Sequence, residues 1–466
     1  MSQAIVGANR GFVALIVAVA TIGGFMFGYD CGVINGTHQG LREAFGLSSL
    51  GEGVLTSALL VGCAAGAFTA GRLADRIGRR NVMMVGAALF LVSALSAGAA
   101  GDSAVFVLAR FIGGLGVGAA SVITPVYISE VTPANIRGRM SSIQQIMIIT
   151  GLTGAFLGNY AVARLAGGST APFYWGYPAW RWMLWLQMIP AGIYFLALLA
   201  IPESPRDLVL KHREQQAEAV LMRLFGSGAA YKVGEIRATL AADHAPRLSD
   251  LRDASGRIRP IVWTGIGLAV FQQLVGINIV FYYGSVLWQT VGITEADSLF
   301  RNIVMGVLSV AACILTVLTI DRIGRKPLLL LGSAGMTLTL GLMAVAFSTG
   351  TTDSLGHLAL NPGWGRIAFW SAMIYAALFN LTWGPVMWVM LGEMFPNQIR
   401  GSALSVSGLA QWVANFVVVL SFPVLLDVVA LPALYAFYAG SALLSYFFVQ
   451  RMVHETRGRE LEAMEG

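Results

Sequence analysis

Gln272, Gln273 and Asn278 share one apolar run with Tyr282. An amide side chain donates and accepts hydrogen bonds while staying neutral. Neutrality matters at membrane depth, where a charge is expensive. Gln145 and Gln411 lie in other apolar runs, as do the ring-bearing Phe27, Trp388 and Trp412. Amides and aromatic faces together suit a neutral ligand rich in hydroxyls. The same amides also suit bonding one helix to another. On an unbroken helix Gln272, Asn278 and Tyr282 make no single stripe, and a break at Gly276 would let them converge.

A second chemistry belongs to Asp30 and Arg110, two opposite charges placed within apolar runs. Alone in a span, either costs about 2.5–3.5 kcal/mol. Paired, they offset much of that cost. A carboxylate that gains and loses a proton as the pair breaks is a proton carrier. A purely structural ion pair is the other reading. The histidines at 38, 212, 244, 357 and 454 are scattered without metal-ligand spacing. No Gly-Lys-Ser/Thr phosphate cradle is present. Neither a metal nor a cofactor is expected, and no nucleophile–base pair marks an enzyme.

These residues need elements to hold them. Hydrophobic residues make up 56% of 466, charged ones 12%, and the net charge is +6. In water that balance would leave large apolar patches exposed, so a lipid bilayer is the solvent. Runs of about 20 apolar residues, the length that crosses a bilayer, fall near 12–34, 53–73, 81–100, 104–127, 140–163, 182–201, 261–284, 299–320, 327–348, 366–391, 402–424 and 430–450. The first run is read as a retained span and not as a cleaved leader. Arg and Lys crowd alternate connections, at Arg72–Arg80, Arg137–Arg139, 206–259, Arg322–Lys326, Arg400 and Arg451–Arg459. The remaining connections hold few. That asymmetry puts both termini and the charged segment in the cytoplasm. It also accounts for the basic charge without nucleic acid as a partner. The three cysteines are expected as free thiols.

The chain repeats. Asp75-Arg-Ile-Gly-Arg-Arg80 returns as Asp321-Arg-Ile-Gly-Arg-Lys326. Glu130-Val-Thr-Pro-Ala-Asn-Ile-Arg-Gly138 returns as Glu393-Met-Phe-Pro-Asn-Gln-Ile-Arg-Gly401. Pro202-Glu-Ser-Pro-Arg206 returns more weakly as His454-Glu-Thr-Arg-Gly458. The expected fold is an all-α membrane protein, with twelve transmembrane helices in two pseudo-symmetric six-helix bundles and short cytoplasmic helices between them. The expected divisions are 1–202, 203–260, 261–451 and a tail at 452–466. Parallel repeats of this kind place a ligand site at their interface near the midplane.

With these boxes, and with Gln272-Gln-Leu-Val-Gly-Ile-Asn278, nearly the whole chain resembles the sugar porter family of the major facilitator superfamily. The resemblance implies sugar contacts from the amides and rings named above, with a ring face packed on a pyranose. It implies proton coupling through Asp30 and Arg110, where facilitative members commonly carry Asn in place of Asp. It also implies ion pairs between the halves that close the cytoplasmic side, drawn from Asp75, Arg76, Arg80, Glu130, Arg137, Glu203, Asp321, Arg322, Arg325, Glu393, Arg400 and Glu455. Ser309 stands where members often carry Asn, and Leu152 where a xylose/proton symporter has Gln. Both changes favour a hexose over a pentose. The expectation is a monomeric carrier in the plasma membrane (the inner membrane of a bacterium), working by sugar–proton symport through alternating access. A facilitative uniporter and a sugar sensor of the same fold are the rivals.

Overall fold

The structure is a computed structural model that describes residues 9–132, 137–226, 229–242, 248–253, 255–352, 358–396 and 399–457. In chain order its helices are α1 Arg10–Phe45, α2 Ser49–Ile77, α3 Arg79–Ala99, α4 Ser103–Val131, α5 Arg137–Ala166, α6 Ala179–Leu186, α7 Met188–Ala200, α8 Pro205–Leu210, α9 Glu214–Phe225, α10 Ala229–Ala242, α11 Pro260–Leu274, α12 Ile277–Thr290, α13 Glu295–Ile323, α14 Arg325–Ser348, α15 Pro362–Leu381, α16 Trp383–Met394, α17 Arg400–Val428 and α18 Leu431–Met452. Among the described residues these form twelve spans long and apolar enough to cross a membrane. Each overlaps one of the twelve expected runs. α6 and α7 make the sixth span, α11 and α12 the seventh, and α15 and α16 the tenth. The short α8–α10 lie between the two bundles of six.

Local chemistry sets the ends. Asn9, Ser48, Asp102 and Thr294 each accept a backbone N–H from the first turn of α1, α2, α4 and α13, the usual service of an N-cap. α2 and α4 press backbone to backbone. A Cβ at Gly118 would stand 2.0 Å from the Cys63 carbonyl oxygen, so only glycine permits that approach.

The repeat seen in sequence is a repeat of contacts. Gly78 and Gly324 turn the chain between two spans with φ of 102° and 101°, a region that favours glycine. Glu203 then accepts the Arg80 backbone N–H at 3.0 Å. Glu455 accepts that of Lys326 at 2.9 Å. The two carboxylates therefore cap α3 and α14, where the helix dipole favours an anion.

At the opposite end the two bundles are bonded to each other. Asn35 of α1 donates to the Phe281 carbonyl at 2.7 Å and accepts from Asn302 at 2.8 Å. The Ser285 backbone N–H donates to Asn35 Oδ1 at 3.1 Å. The Ser49 hydroxyl donates to Asp427, and the Ser169 backbone N–H donates to Glu295 at 3.2 Å.

Candidate functional site

Two spans break midway, and the breaks build the site. In the seventh, Gly276 takes φ 83° between α11 and α12, where the sequence pattern needed it to. In the tenth, Thr382 leaves helical geometry with φ −128° and ψ −89°. In the sixth, Gln187 between α6 and α7 keeps helical geometry with φ −62° and ψ −23°. A break frees backbone groups that lipid cannot satisfy, so side chains must satisfy them.

Gln272 does so for the tenth span, donating to the carbonyls of Trp383 at 3.1 Å and Gly384 at 3.3 Å. Its own carbonyl accepts from Gln273 at 3.1 Å and from Gln411 at 3.3 Å. Asn278 donates to Gln273 and, at 2.8 Å, to Asn415. Gln272, Gln273, Asn278, Gln411 and Asn415 thus form one connected amide network spanning α11, α12 and α17. Gln411 Oε1 is buried and has no hydrogen-bond partner among the described residues. A buried acceptor without a donor is costly, and a ligand hydroxyl would relieve it. Next to Gln411, Trp412 meets Phe27 of the other bundle with ring centroids 5.8 Å apart.

Some expected members lie elsewhere. The Tyr282 hydroxyl lies 3.0 Å from Cys31 Sγ of the other bundle and is not part of the amide hydrogen-bond network. The reason is α12 itself, which runs from the break to the bonded end and carries Tyr282 there. Gln145 is half-buried on α5 and stands outside the network. Trp388 is 40% exposed on α16. Asn415 and Gln187 went unnoticed in the sequence, where Gln187 is a lone amide in its apolar run and Asn415 follows Gln411 by four residues, a helical spacing that could have found it. A crevice of 490 Å³ between α1, α5 and α13, lined by Phe25, Thr153, Leu157 and Val307 among others, is apolar and holds none of these groups.

Asp30 and Arg110 meet as expected. Arg110 Nη1 lies 2.6 Å from Asp30 Oδ1, and both side chains are 1% exposed. Gln187 donates to the same Oδ1 at 2.9 Å. Asp30 Oδ2 is buried with no hydrogen-bond partner among the described residues. One carboxylate oxygen is doubly held while the other is bare.

The gate candidates pair differently from expectation. Arg79, which the sequence reading passed over, is the hub of the first box. It lies 3.2 Å from Asp75, 3.4 Å from Glu130 and 3.0 Å from Asp207. Its counterpart Arg325 lies 3.0 Å from Asp321 and 2.8 Å from Glu393. Ser204 donates to Glu130 at 2.5 Å, and Thr456 donates to Glu393 at 2.6 Å. Arg80 donates to the Leu198 carbonyl at 2.8 Å. Arg400 donates to the Phe395 carbonyl at 3.2 Å. Arg76 and Arg322 are exposed. The Arg137 side chain lies outside the described residues. None of these named pairs joins one bundle to the other, whereas the resemblance implied pairs between bundles; each lies within a bundle or ties it to the linker or tail that follows it. Each cluster gathers helix ends of one bundle and the segment that follows that bundle, because the boxes sit at those ends.

Comparison with known proteins accords with this geometry. The family described as sugar (and other) transporter matches residues 16–466. A glucose transport protein of Synechocystis sp. is 46% identical over 98% of this chain and 98% of its own. The D-xylose-proton symporter of Escherichia coli is 34% identical over 98% of this chain and 96% of its own. Among solved structures, the Escherichia coli xylose transporter in a partially occluded inward-open conformation superposes with a TM-score of 0.83 at 32% identity, covering 97% of this chain and 100% of that one. The proton:xylose symporter bound to 6-bromo-6-deoxy-D-glucose gives 0.79 at 33% identity, covering 98% and 99%.

Proposed function

Since the chain belongs to the sugar porter family of the major facilitator superfamily, we propose that it carries a monosaccharide, a hexose such as glucose, together with a proton by alternating access. The observation that carries the reading is the amide network at the breaks of the seventh and tenth spans. It offers neutral donors and acceptors, and one bare acceptor, beside the Phe27–Trp412 ring pair. Sugar hydroxyls replace the bonds that these amides make to one another, and a ring face covers the C–H face of the sugar. The likeness to a glucose transport protein supports the choice of hexose.

The end that carries the two boxes is cytoplasmic in this reading, following the placement of Arg and Lys. Both termini lie on that side, and the divisions near residues 202, 260 and 451 separate two moving bundles from a linker and a tail. With the outer end bonded across the bundles and the box charges paired within each one, the conformation is inward-facing. In the outward-facing state the box charges re-pair across the bundles and hold the cytoplasmic side shut. The carrier acts as a monomer.

Proton coupling is assigned to Asp30. Protonation of its bare oxygen neutralises the carboxylate, weakens its hold on Arg110 and lets the loaded carrier turn over. Asp30→Asn fixes the side chain in a neutral, protonated-like form. Reconstituted Asp30→Asn protein should keep sugar binding and sugar-for-sugar counterflow while losing accumulation driven by a pH gradient. Accumulation retained in that variant would assign the proton elsewhere. Loss of counterflow as well would make Asp30 a structural partner of Arg110.

A further inference from the structure

The apolar crevice on the seam between the two bundles is walled by α5 and α13 and floored by α1. Its lining runs from Thr150 to Leu157 on α5 and from Val307 to Ile314 on α13. Seven residues of helix rise about 10 Å. These stretches straddle the middle of the spans Ile143–Ala166 and Glu295–Ile323, so the crevice sits at the depth of the hydrocarbon core. Leu157, Val307, Ala311 and Ile314 are exposed and mark its open side. Gly154 leaves the floor to the Phe25 ring, which a Cβ there would meet at 3.4 Å. Towards the outer end the seam is shut. Tyr160 and Phe300 bring their ring centroids to 5.9 Å. Gly306 admits Thr153 so closely that a Cβ would stand 2.6 Å from the Thr153 hydroxyl oxygen.

The walls decide what fills 490 Å³ at that depth. Thr150 and Thr153 donate their hydroxyls to the Ile146 and Ile149 carbonyls of their own helix, each at 2.8 Å. The other lining side chains are apolar. An ordered water needs about two to four polar partners, and a sugar needs more, so neither finds a site here. A phospholipid headgroup stays at the interface, away from the midplane. What surrounds the open side is hydrocarbon. In lipid no hydrophobic drive closes a groove, and packing decides. An empty crevice forfeits dispersion contacts along its walls, and a chain laid in it recovers them.

We infer that the hydrocarbon chain of a bilayer phospholipid lies in this crevice and acts as a wedge that favours the inward-facing state. α5 and α13 belong to different bundles, so the crevice is set by how the bundles sit and not by either one alone. With the outer end shut, the seam parts inward of the Tyr160–Phe300 contact. In the outward-facing state the cytoplasmic halves of α5 and α13 come together and the groove closes. A ligand that fits one state draws the population towards it. The site itself needs only the bilayer, whereas the wedge rests on the alternating-access reading.

The probe is a phosphatidylcholine carrying a photoactivatable diazirine at mid-chain, used with the full chain in proteoliposomes. Labelling of residues 150–157 and 307–314 should exceed that of Leu338 and Leu342, exposed near the middle of the ninth span, by at least about fivefold. Ala311→Trp, at an exposed position where the indole fills the crevice, should erase the excess. Equal labelling in the parent, or an excess that survives Ala311→Trp, overturns the site, whether a second copy of this chain covers the crevice or nothing fills it. The wedge is read from the distance between spin labels at Ala44→Cys and Ala296→Cys, two exposed positions on opposite bundles at the outer end. The native cysteines are buried and stay in place. Methyl-branched chains are too thick for the groove. Exchanging straight-chain for branched lipid should raise the ratio of open to closed outer end about threefold or more in the parent, and leave it unchanged in Ala311→Trp. An unresponsive parent overturns the wedge, as does an equal response in the variant, which would come from the bilayer as a whole. Failure of sugar counterflow with the labelling excess intact would strike the carrier reading and leave the lipid site standing.

Discussion

Gln272→Ala strikes the centre of the amide network. The side chain donates to two carbonyls at the break in the tenth span and accepts from two neighbouring amides. Alanine removes the shared acceptor of Gln273 and Gln411, so both lose the bond that aims them. A neutral hydrogen bond contributes about 0.5–1.5 kcal/mol net, and a buried group left unpaired costs about 1–3 kcal/mol. Part of that cost falls on the free protein as well as the complex, and water entering the space relieves some of it. What remains against binding is one lost sugar contact plus the disordering of two others, about 1.5–3 kcal/mol. At about 1.4 kcal/mol per decade, sugar affinity should fall by at least about tenfold. Titration calorimetry on purified Gln272→Ala and Asn278→Ala, with monodispersity as the folding check, measures it. Affinities within about twofold of the parent in both variants would refute the amide site.

Two further outcomes concern the box end. Arg79→Ala leaves Asp207 and Glu130 without their shared guanidinium, and breaking a buried pair costs about 3–5 kcal/mol. Thermal unfolding should therefore drop steeply for it and hardly move for the exposed Arg76→Ala, and equal effects would deny Arg79 its role as hub. Burial raises the Glu455 carboxyl pKa, but the backbone N–H groups of Arg325, Arg457, Lys326 and Thr456 outweigh burial and hold it below the ordinary carboxylate value. A pKa depressed on folding stabilises above the unfolded value, about 4.3, and that contribution is lost as pH falls through the folded one. Glu455→Gln should accordingly lower the melting temperature at neutral pH by the equivalent of no more than about 1 kcal/mol, solvent screening included. The gap to the parent should close in acid, and a gap constant with pH would show that the cap does not depend on charge.

Hydropathy is additive along a chain, and a bilayer demands a span of set length, so the twelve spans were legible without any contact. The duplicated boxes were legible too, because Asp75-Arg-Ile-Gly-Arg-Arg80 and Asp321-Arg-Ile-Gly-Arg-Lys326 repeat almost residue for residue. The break at Gly276 was local as well, since a left-handed backbone is a property of one residue. What depends on two distant segments meeting was not legible. Gln187 is a single amide in an apolar run, and Asn415 only a neighbour of Gln411, until folding brings them to Asp30 and Asn278. Tyr282 reads as one more polar group in the amide run until α12 carries it to Cys31. Arg79 is one arginine among several until Asp207 and Glu130 reach it. His38 is a lone histidine in the sequence. Only the closing of α1 on α2 and α12 brings its Nε2 to the Tyr282 carbonyl and its Nδ1 to within 2.9 Å of Glu52, because such contacts join segments far apart in the chain.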